Sequence, residues 1–209
     1  MSAISITDNI YFGEEDFSEK LADVCDRHFD LLDSRRSPSW MPFPLCDDMK
    51  MSCSMHSCAD QDVVRKYLLK KIVPLLEPFG VASAGGAEWW CNRNNNLGWH
   101  VDKDEERNQR FGEIVLPKIS TVYYPVVDCC GGELLLLDSD AGPSIQSLTE
   151  YASPEYNKEL LNKIIRVPPK ADRLVVFSPG IPHAVNTFIG RRYSLAVNIW
   201  ENAPGFDWF

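Results

Sequence analysis

The chain lacks a long apolar run, and none of its hydrophobic stretches approaches the length needed to span a bilayer. Its N-terminus, Met-Ser-Ala-Ile-Ser-Ile-Thr-Asp, has neither a basic region nor an apolar segment of the kind that marks a signal peptide, so the expected location is cytoplasmic. It is also short of positive charge: 21 Lys and Arg stand against 30 Asp and Glu, a formal net charge of −9. A nucleic-acid partner calls for a basic face, and this balance argues against one. Internal repeats and low-complexity tracts are absent. The 7 cysteines are an odd number without a secretion signal, which fits reduced thiols rather than a disulfide framework. Their densest group, Cys46, Cys53, His56 and Cys58, imitates a zinc site, but no second ligand pair follows at a typical distance.

What is present suits one folded domain over residues 1–209, with 44% hydrophobic and 24% charged residues. Residues 1–80 read as helical support. A short strand is expected near Ile10 to Gly13, and Phe17, Leu21, Val24 and Cys25 recur at helical spacing within 15–29. His28, one of 4 histidines, is read as a helix-face residue. Residues 33–59 are broken by Pro38, Pro42 and Pro44 and read as irregular, anchored by Trp40 and Phe43. A second helix is expected over 60–79, with Val63, Tyr67, Leu68, Ile72, Leu75 and Leu76 as its apolar stripe, Lys66, Lys70 and Lys71 on its solvated side, and Pro74 either kinking it or beginning a new turn. Residues 81–209 read as strands: 88–92, 119–127, 133–137, 174–177 and 193–200. Between them lie a polar loop 92–98, a charged loop 103–110, a turn 128–132 and an insertion 138–168 with a helix over 154–165. The two apolar runs flanking Pro179-Gly180 read as neighbouring strands. Helices first and antiparallel strands later make an α+β protein whose sheets close into a sandwich or barrel.

Two short motifs carry chemistry. Residues i and i+2 of a strand face the same way, so His100 and Asp102 can grip one ion together. His183 follows from a distant strand. Two imidazoles and one carboxylate leave open positions on an octahedral metal, which is the 2-His-1-carboxylate arrangement of non-haem Fe(II) oxygenases, with zinc as the competitor. By the same alternation Arg192 and Ser194 point to one side. A guanidinium fork beside a hydroxyl in a barrel interior is a carboxylate clamp.

The order of parts is more specific than either motif. A tryptophan-bearing strand precedes His100-Val-Asp102. Thr121-Val-Tyr-Tyr-Pro125 follows, then Gly131-Gly132, Val175-Val-Phe177, His183, and Arg192-Tyr-Ser194 nine positions on. From about Trp89 to Trp200 this series resembles the Fe(II)/2-oxoglutarate-dependent dioxygenases, most closely their prolyl-4-hydroxylase-like branch. The resemblance implies a double-stranded β-helix, or jelly roll, with the N-terminal helices packed on one sheet. It implies His100, Asp102 and His183 as iron ligands, and Arg192, Ser194 and Tyr124 around the distal carboxylate of 2-oxoglutarate. No further catalytic residue is implied. Trp90 falls near another co-substrate position at which a different residue type is usual. Trp90, Asn92 and Trp99 are candidate substrate contacts, and Asp172 replaces the glycine expected in Pro168-Pro-Lys-Ala-Asp172-Arg.

The implied reaction uses Fe(II), 2-oxoglutarate and O2, with ascorbate as reductant, and hydroxylates a C–H bond with release of succinate and CO2. Hydroxylation is favoured over halogenation because Asp102 fills the ligand position that halogenating relatives leave open. The substrate expected is a prolyl residue of a protein or peptide, or a free amino acid or small metabolite. Two other readings keep the fold: a cupin-like metal-binding jelly roll, which gives Arg192-Tyr-Ser194 no purpose, and a catalytically silent binding module, against which the intact His-Asp-His set speaks.

Overall fold

The computed structural model describes residues 4–10, 16–31, 39–44, 58–93, 97–137 and 162–205. The elements run β1 (Ile4–Thr7), α1 (Phe17–Leu31), β2 (Ser39–Pro42), α2 (Cys58–Tyr67), a π-helical turn (Leu68–Ile72), α3 (Val73–Leu76), β3 (Gly86–Asn92), α4 (Glu105–Phe111), β4 (Ile119–Gly131), β5 (Leu134–Leu137), β6 (Ile164–Val167), β7 (Arg173–Phe177), β8 (His183–Val185) and β9 (Phe188–Trp200). A six-stranded sheet has the order β1-β7-β4-β9-β3-β2, and a three-stranded sheet the order β6-β5-β8, with antiparallel pairing throughout.

Alternation along the strands decides what each face holds. Ala87, Trp89 and Cys91 of β3, Ile119 and Tyr123 of β4, and Tyr193, Leu195, Val197 and Ile199 of β9 face outward. They pack with Phe17, Leu21, Val24 and Cys25 of α1 and with Val64, Tyr67, Leu68 and Ile72 of the second helical segment. Each of the large side chains among them contributes about 1.5–3 kcal/mol by leaving water. The opposite face carries Tyr124, Val175 and Phe177, which meet Leu134, Leu136, Val167 and Val185 of the small sheet in a second core. Polar residues of β3, β4 and β9, among them Glu88, Ser120, Arg192, Ser194 and Asn198, share this inner face with the second core.

Several local expectations are corrected. Ile4–Thr7 forms a strand ahead of the expected one, whose residues 11–13 lie outside the described residues. Within the proline-bearing stretch, Ser39–Pro42 forms an edge strand on β3, a place where proline's missing N–H costs nothing. Of the two readings of Pro74 the second holds: it stands in the first turn of a new helix, α3, rather than bending a continuous one. The ladder widens just before it into the π turn, where Val73 N–H reaches the Leu68 carbonyl. Residues 105–111 are a helix rather than a loop: the Asp104 carboxylate caps the Arg107 N–H at 3.0 Å, and Gly112 closes it in the left-handed region. β4 runs on through Asp128–Gly131 against Arg191–Phe188. Ile164 and Ile165 lie in β6, not in a helix, so the 138–168 insertion ends inside the small sheet. Asn162 and Lys163 form a turn, and residues 154–161 of that expected helix, together with Cys46, Cys53 and His56, lie outside the described residues, as do the side chains of His28 and Cys58. β7 and β9 are not neighbours; both flank β4, and His183 sits in the other sheet. Among the described residues no helix is long and apolar enough to cross a membrane.

Asp172, the departure from glycine, has φ +60, a strained value for a residue with a Cβ. Its Oδ1 accepts Ser18 Oγ at 2.6 Å and the Tyr123 hydroxyl at 2.7 Å. The β7 entry is thereby tied to α1. Asp172→Ala should destabilise the fold by about 2–3 kcal/mol, because it removes a charged acceptor from two hydroxyls and keeps the strain. The chemical-denaturation midpoint measures this; an unchanged midpoint would mean that the bonds contribute nothing.

Candidate metal centre and dicarboxylate pocket

His183 opens β8, opposite Leu136. His100 lies beside it, with its N–H on the His183 carbonyl at 3.0 Å and the reciprocal bond at 2.9 Å. Val185 N–H bonds the Leu97 carbonyl at 2.9 Å, which extends the small sheet by one irregular segment. The two imidazole centroids are 4.2 Å apart, and Phe177 supports His183 edge-on at 5.0 Å.

The ring orientations follow from the backbone. Nδ1 of His100 is 2.8 Å from the Gly98 carbonyl, and Nδ1 of His183 is 3.0 Å from the Ile181 carbonyl. A carbonyl only accepts, so each Nδ1 carries the proton and each Nε2 lone pair is free. Both Nε2 atoms face Asp102 Oδ1, at 4.0 Å from His100 and 3.7 Å from His183. Asp102 Oδ2 is held by Ser120 Oγ at 2.8 Å. Burial, then the facing His183 ring, lowers the His100 pKa and favours the neutral form that binds metal. The three donor atoms lie within 4.8 Å of one another. Two neutral nitrogens and one carboxylate oxygen suit a ferrous ion and leave its remaining positions open.

The second feature is a buried cation. Arg192 is 2% exposed on the inward face of β9. One Nη2–H donates to the Tyr124 hydroxyl at 3.3 Å, and the guanidinium lies 4.9 Å from the Tyr124 ring and 5.7 Å from that of Phe188. Its Nε and Nη1 have no partner. A buried, under-paired cation costs several kcal/mol, and a carboxylate supplied from outside removes that cost. Gly132 makes the room: a Cβ there would stand 2.9 Å from Arg192 Cδ, and its φ of +78 already favours glycine. Pro125, which has no N–H, occupies the β4 bulge between the Tyr123 and Val126 pairings. Tyr124 itself remains fully buried in the inner core. Ser194 shares the inner face and donates to the Asn92 carbonyl at 3.1 Å. The orphaned donors and the metal-type cluster on one barrel interior fit a dicarboxylate with a chelating end.

Trp90 and Asn92 lie half-buried on the same inner face of β3, between Ala196 and Ser194 of β9, and Trp99 is half-buried immediately before His100. Two residues escaped the sequence reading. Ser120 orients Asp102, and its only signal is its even spacing from Val122 and Tyr124. Glu88 accepts the Trp200 indole N–H at 2.9 Å. Burial, reinforced by Asp102 and Asp104, raises its pKa to about 7. The folded protein therefore keeps a proton on Glu88 that the unfolded chain releases, and stability declines as pH rises between about 4.5 and 7. In the metal-free protein Glu88→Gln should gain about 3 kcal/mol at pH 8 and nothing near pH 4. Denaturation midpoints at both pH values test this, and equal effects at the two would contradict it.

A family profile described as the 2OG-Fe(II) oxygenase superfamily matches residues 88–200. No curated protein sequence matches the chain. Among solved structures it is similar to a prolyl-4-hydroxylase from Pseudomonas putida, at 18% identity and TM-score 0.56, over 97% of this chain and 88% of that one. A prolyl hydroxylase from Trichoplax adhaerens, solved with a hypoxia-inducible-factor peptide, gives 14% identity and TM-score 0.54 over 95% and 84%. HygX from Streptomyces hygroscopicus, solved with nickel and 2-oxoglutarate, gives 10% identity and TM-score 0.53 over 98% and 83%. At these identities the structures establish the fold, a double-stranded β-helix. The profile covers more than half of the chain and includes every residue of the cluster and the arginine pocket, so the protein belongs to the Fe(II)/2-oxoglutarate oxygenase family.

Proposed function

We propose that this protein hydroxylates a C–H bond of a small molecule or peptide, with Fe(II) held by His100, Asp102 and His183 and 2-oxoglutarate anchored at Arg192. The observation that carries the reading is Arg192: two buried guanidinium donors without partners, on the inner face of the large sheet, which also touches the His-Asp-His cluster through Phe177 and Ser120. Bound together, iron and 2-oxoglutarate activate O2, giving succinate, CO2 and one oxygen atom for the substrate. The chain's residues place and shield this chemistry. Two imidazoles fixed at Nδ1 and a carboxylate fixed at Oδ2 present three donors without rearrangement. Arg192 and the Tyr124 hydroxyl receive the distal carboxylate. Ser194 joins them by turning its hydroxyl from the Asn92 carbonyl. Phe177 and the apolar inner core exclude water behind His183.

Trp90, Asn92 and Trp99 are assigned to the substrate wall, ascorbate to keeping iron reduced, and the cytoplasm as the compartment. Residues 1–209 act as one domain, with the helices before residue 81 as support for the large sheet. A prolyl residue and a free amino acid are both compatible substrates. The test is aerobic incubation with Fe(II), ascorbate and 2-oxoglutarate: succinate should form in a metal-dependent way. Absence of both turnover and 2-oxoglutarate binding would defeat the proposal. Ser120→Ala should lower metal affinity by about tenfold by loosening Asp102. Titration with Mn(II) measures it, and an unchanged affinity would remove Ser120 from this role.

A further inference from the structure

One inner-face row of the large sheet meets the metal cluster only at its Ser120 end and does not include Arg192. Register places Trp40 of β2, Glu88 of β3, Asn198 of β9 and Ser120 of β4 side by side. Ser120 ends the row on the metal-cluster carboxylate Asp102. Trp90 stands two positions from Glu88 on the same face. The Trp40 ring lies against the β3 backbone, where a Cβ at Gly86 would come within 2.4 Å of it. Glu88 is fixed by the Trp200 indole and the Asn198 side chain, both neutral donors, and among the described residues no cation is paired with it.

We propose that Glu88, with the indole faces of Trp40 and Trp90, recognises an organic cation, an ammonium or guanidinium group on the molecule oxidised at the neighbouring metal centre. The inference rests on the oxygenase reading above and names its substrate class. A carboxylate with two indoles beside it on one sheet face complements a cation through charge-assisted hydrogen bonds and the ring quadrupole. A neutral prolyl side chain offers Glu88 no charge partner, and an anion is repelled by Glu88 and Asp102 together. Two strand spacings, about 10 Å, separate β3 from the Ser120 strand, a span that an amino-acid-sized substrate bridges.

The test uses the protein loaded with Mn(II) and 2-oxoglutarate, with binding followed by calorimetry. The probes are N-acetyl-L-argininamide and N-acetyl-L-lysinamide, their neutral near-isosteres N-acetyl-L-citrullinamide and N-acetyl-L-norleucinamide, and N-acetyl-L-prolinamide. The cationic probes should bind at least about tenfold more tightly than the neutral ones. Glu88→Gln, compared at equal metal and 2-oxoglutarate occupancy, should remove that preference, and Glu88→Asp should keep part of it. A wild type that loads both groups but shows no preference for cations, or binds none of the probes, overturns this inference alone. A preference that survives in Glu88→Gln does the same. A wild type that takes up neither Mn(II) nor 2-oxoglutarate overturns the oxygenase reading and this inference with it.

Discussion

His183→Ala is expected to abolish ferrous-ion binding, with affinity falling by at least about 100-fold, since losing a group that only orients a ligand already costs 10–100-fold. His183 is the buried member of the set and bridges both halves of the site. Its main chain exchanges two hydrogen bonds with His100, and its Nε2 faces Asp102 Oδ1 at 3.7 Å. Alanine keeps the main-chain bridge, so the variant should fold and the loss should be confined to the metal. Equilibrium dialysis with Fe(II) under argon, beside a circular-dichroism melt, separates the two. Retained stoichiometric iron in a folded His183→Ala protein would remove His183 from the ligand set.

The second large effect divides metal from co-substrate. Arg192→Met should retain iron and lose 2-oxoglutarate affinity by about 1.5–3 kcal/mol or more, the worth of a charged hydrogen bond. It should also leave the ligand-free protein as stable as before or more so, because a buried guanidinium with two unpaired donors is replaced by a side chain that needs none. A merely structural arginine gives the opposite pair of results, with lower stability and unchanged 2-oxoglutarate affinity. Thermal melts with and without 2-oxoglutarate read both quantities, since a ligand that binds only the folded state raises the midpoint.

The chemistry of the site was more legible than the layout of the sheet. His100, Asp102, His183 and Arg192 are residue types with few structural uses in a barrel interior, and alternation alone puts His100 with Asp102 and Arg192 with Ser194. The outward stripe of α1 was equally plain, because Phe17, Leu21, Val24 and Cys25 follow the helical period. Strand order left no such trace: β7 and β9 are close in sequence, yet β4 lies between them. Composition hid β2 among prolines and α4 among charges, although Asp104 and Gly112 carried the capping signals of a helix. The π turn before Pro74 and the bulge at Pro125 are local answers to a missing N–H, and periodicity does not register them. Ser120 and Glu88 were missed because their importance comes from cross-strand neighbours, and those neighbours depend on register.

The most direct test of the central claim is anaerobic addition of Fe(II) and 2-oxoglutarate, monitored for the visible metal-to-ligand charge-transfer absorption that appears when the keto acid chelates iron. The account predicts a saturable band at one equivalent of iron in the wild type, no band in His183→Ala, and in Arg192→Met a band requiring at least about tenfold more 2-oxoglutarate. A wild-type protein that binds Fe(II) without developing the band, or an Arg192→Met protein that titrates like wild type, would contradict it.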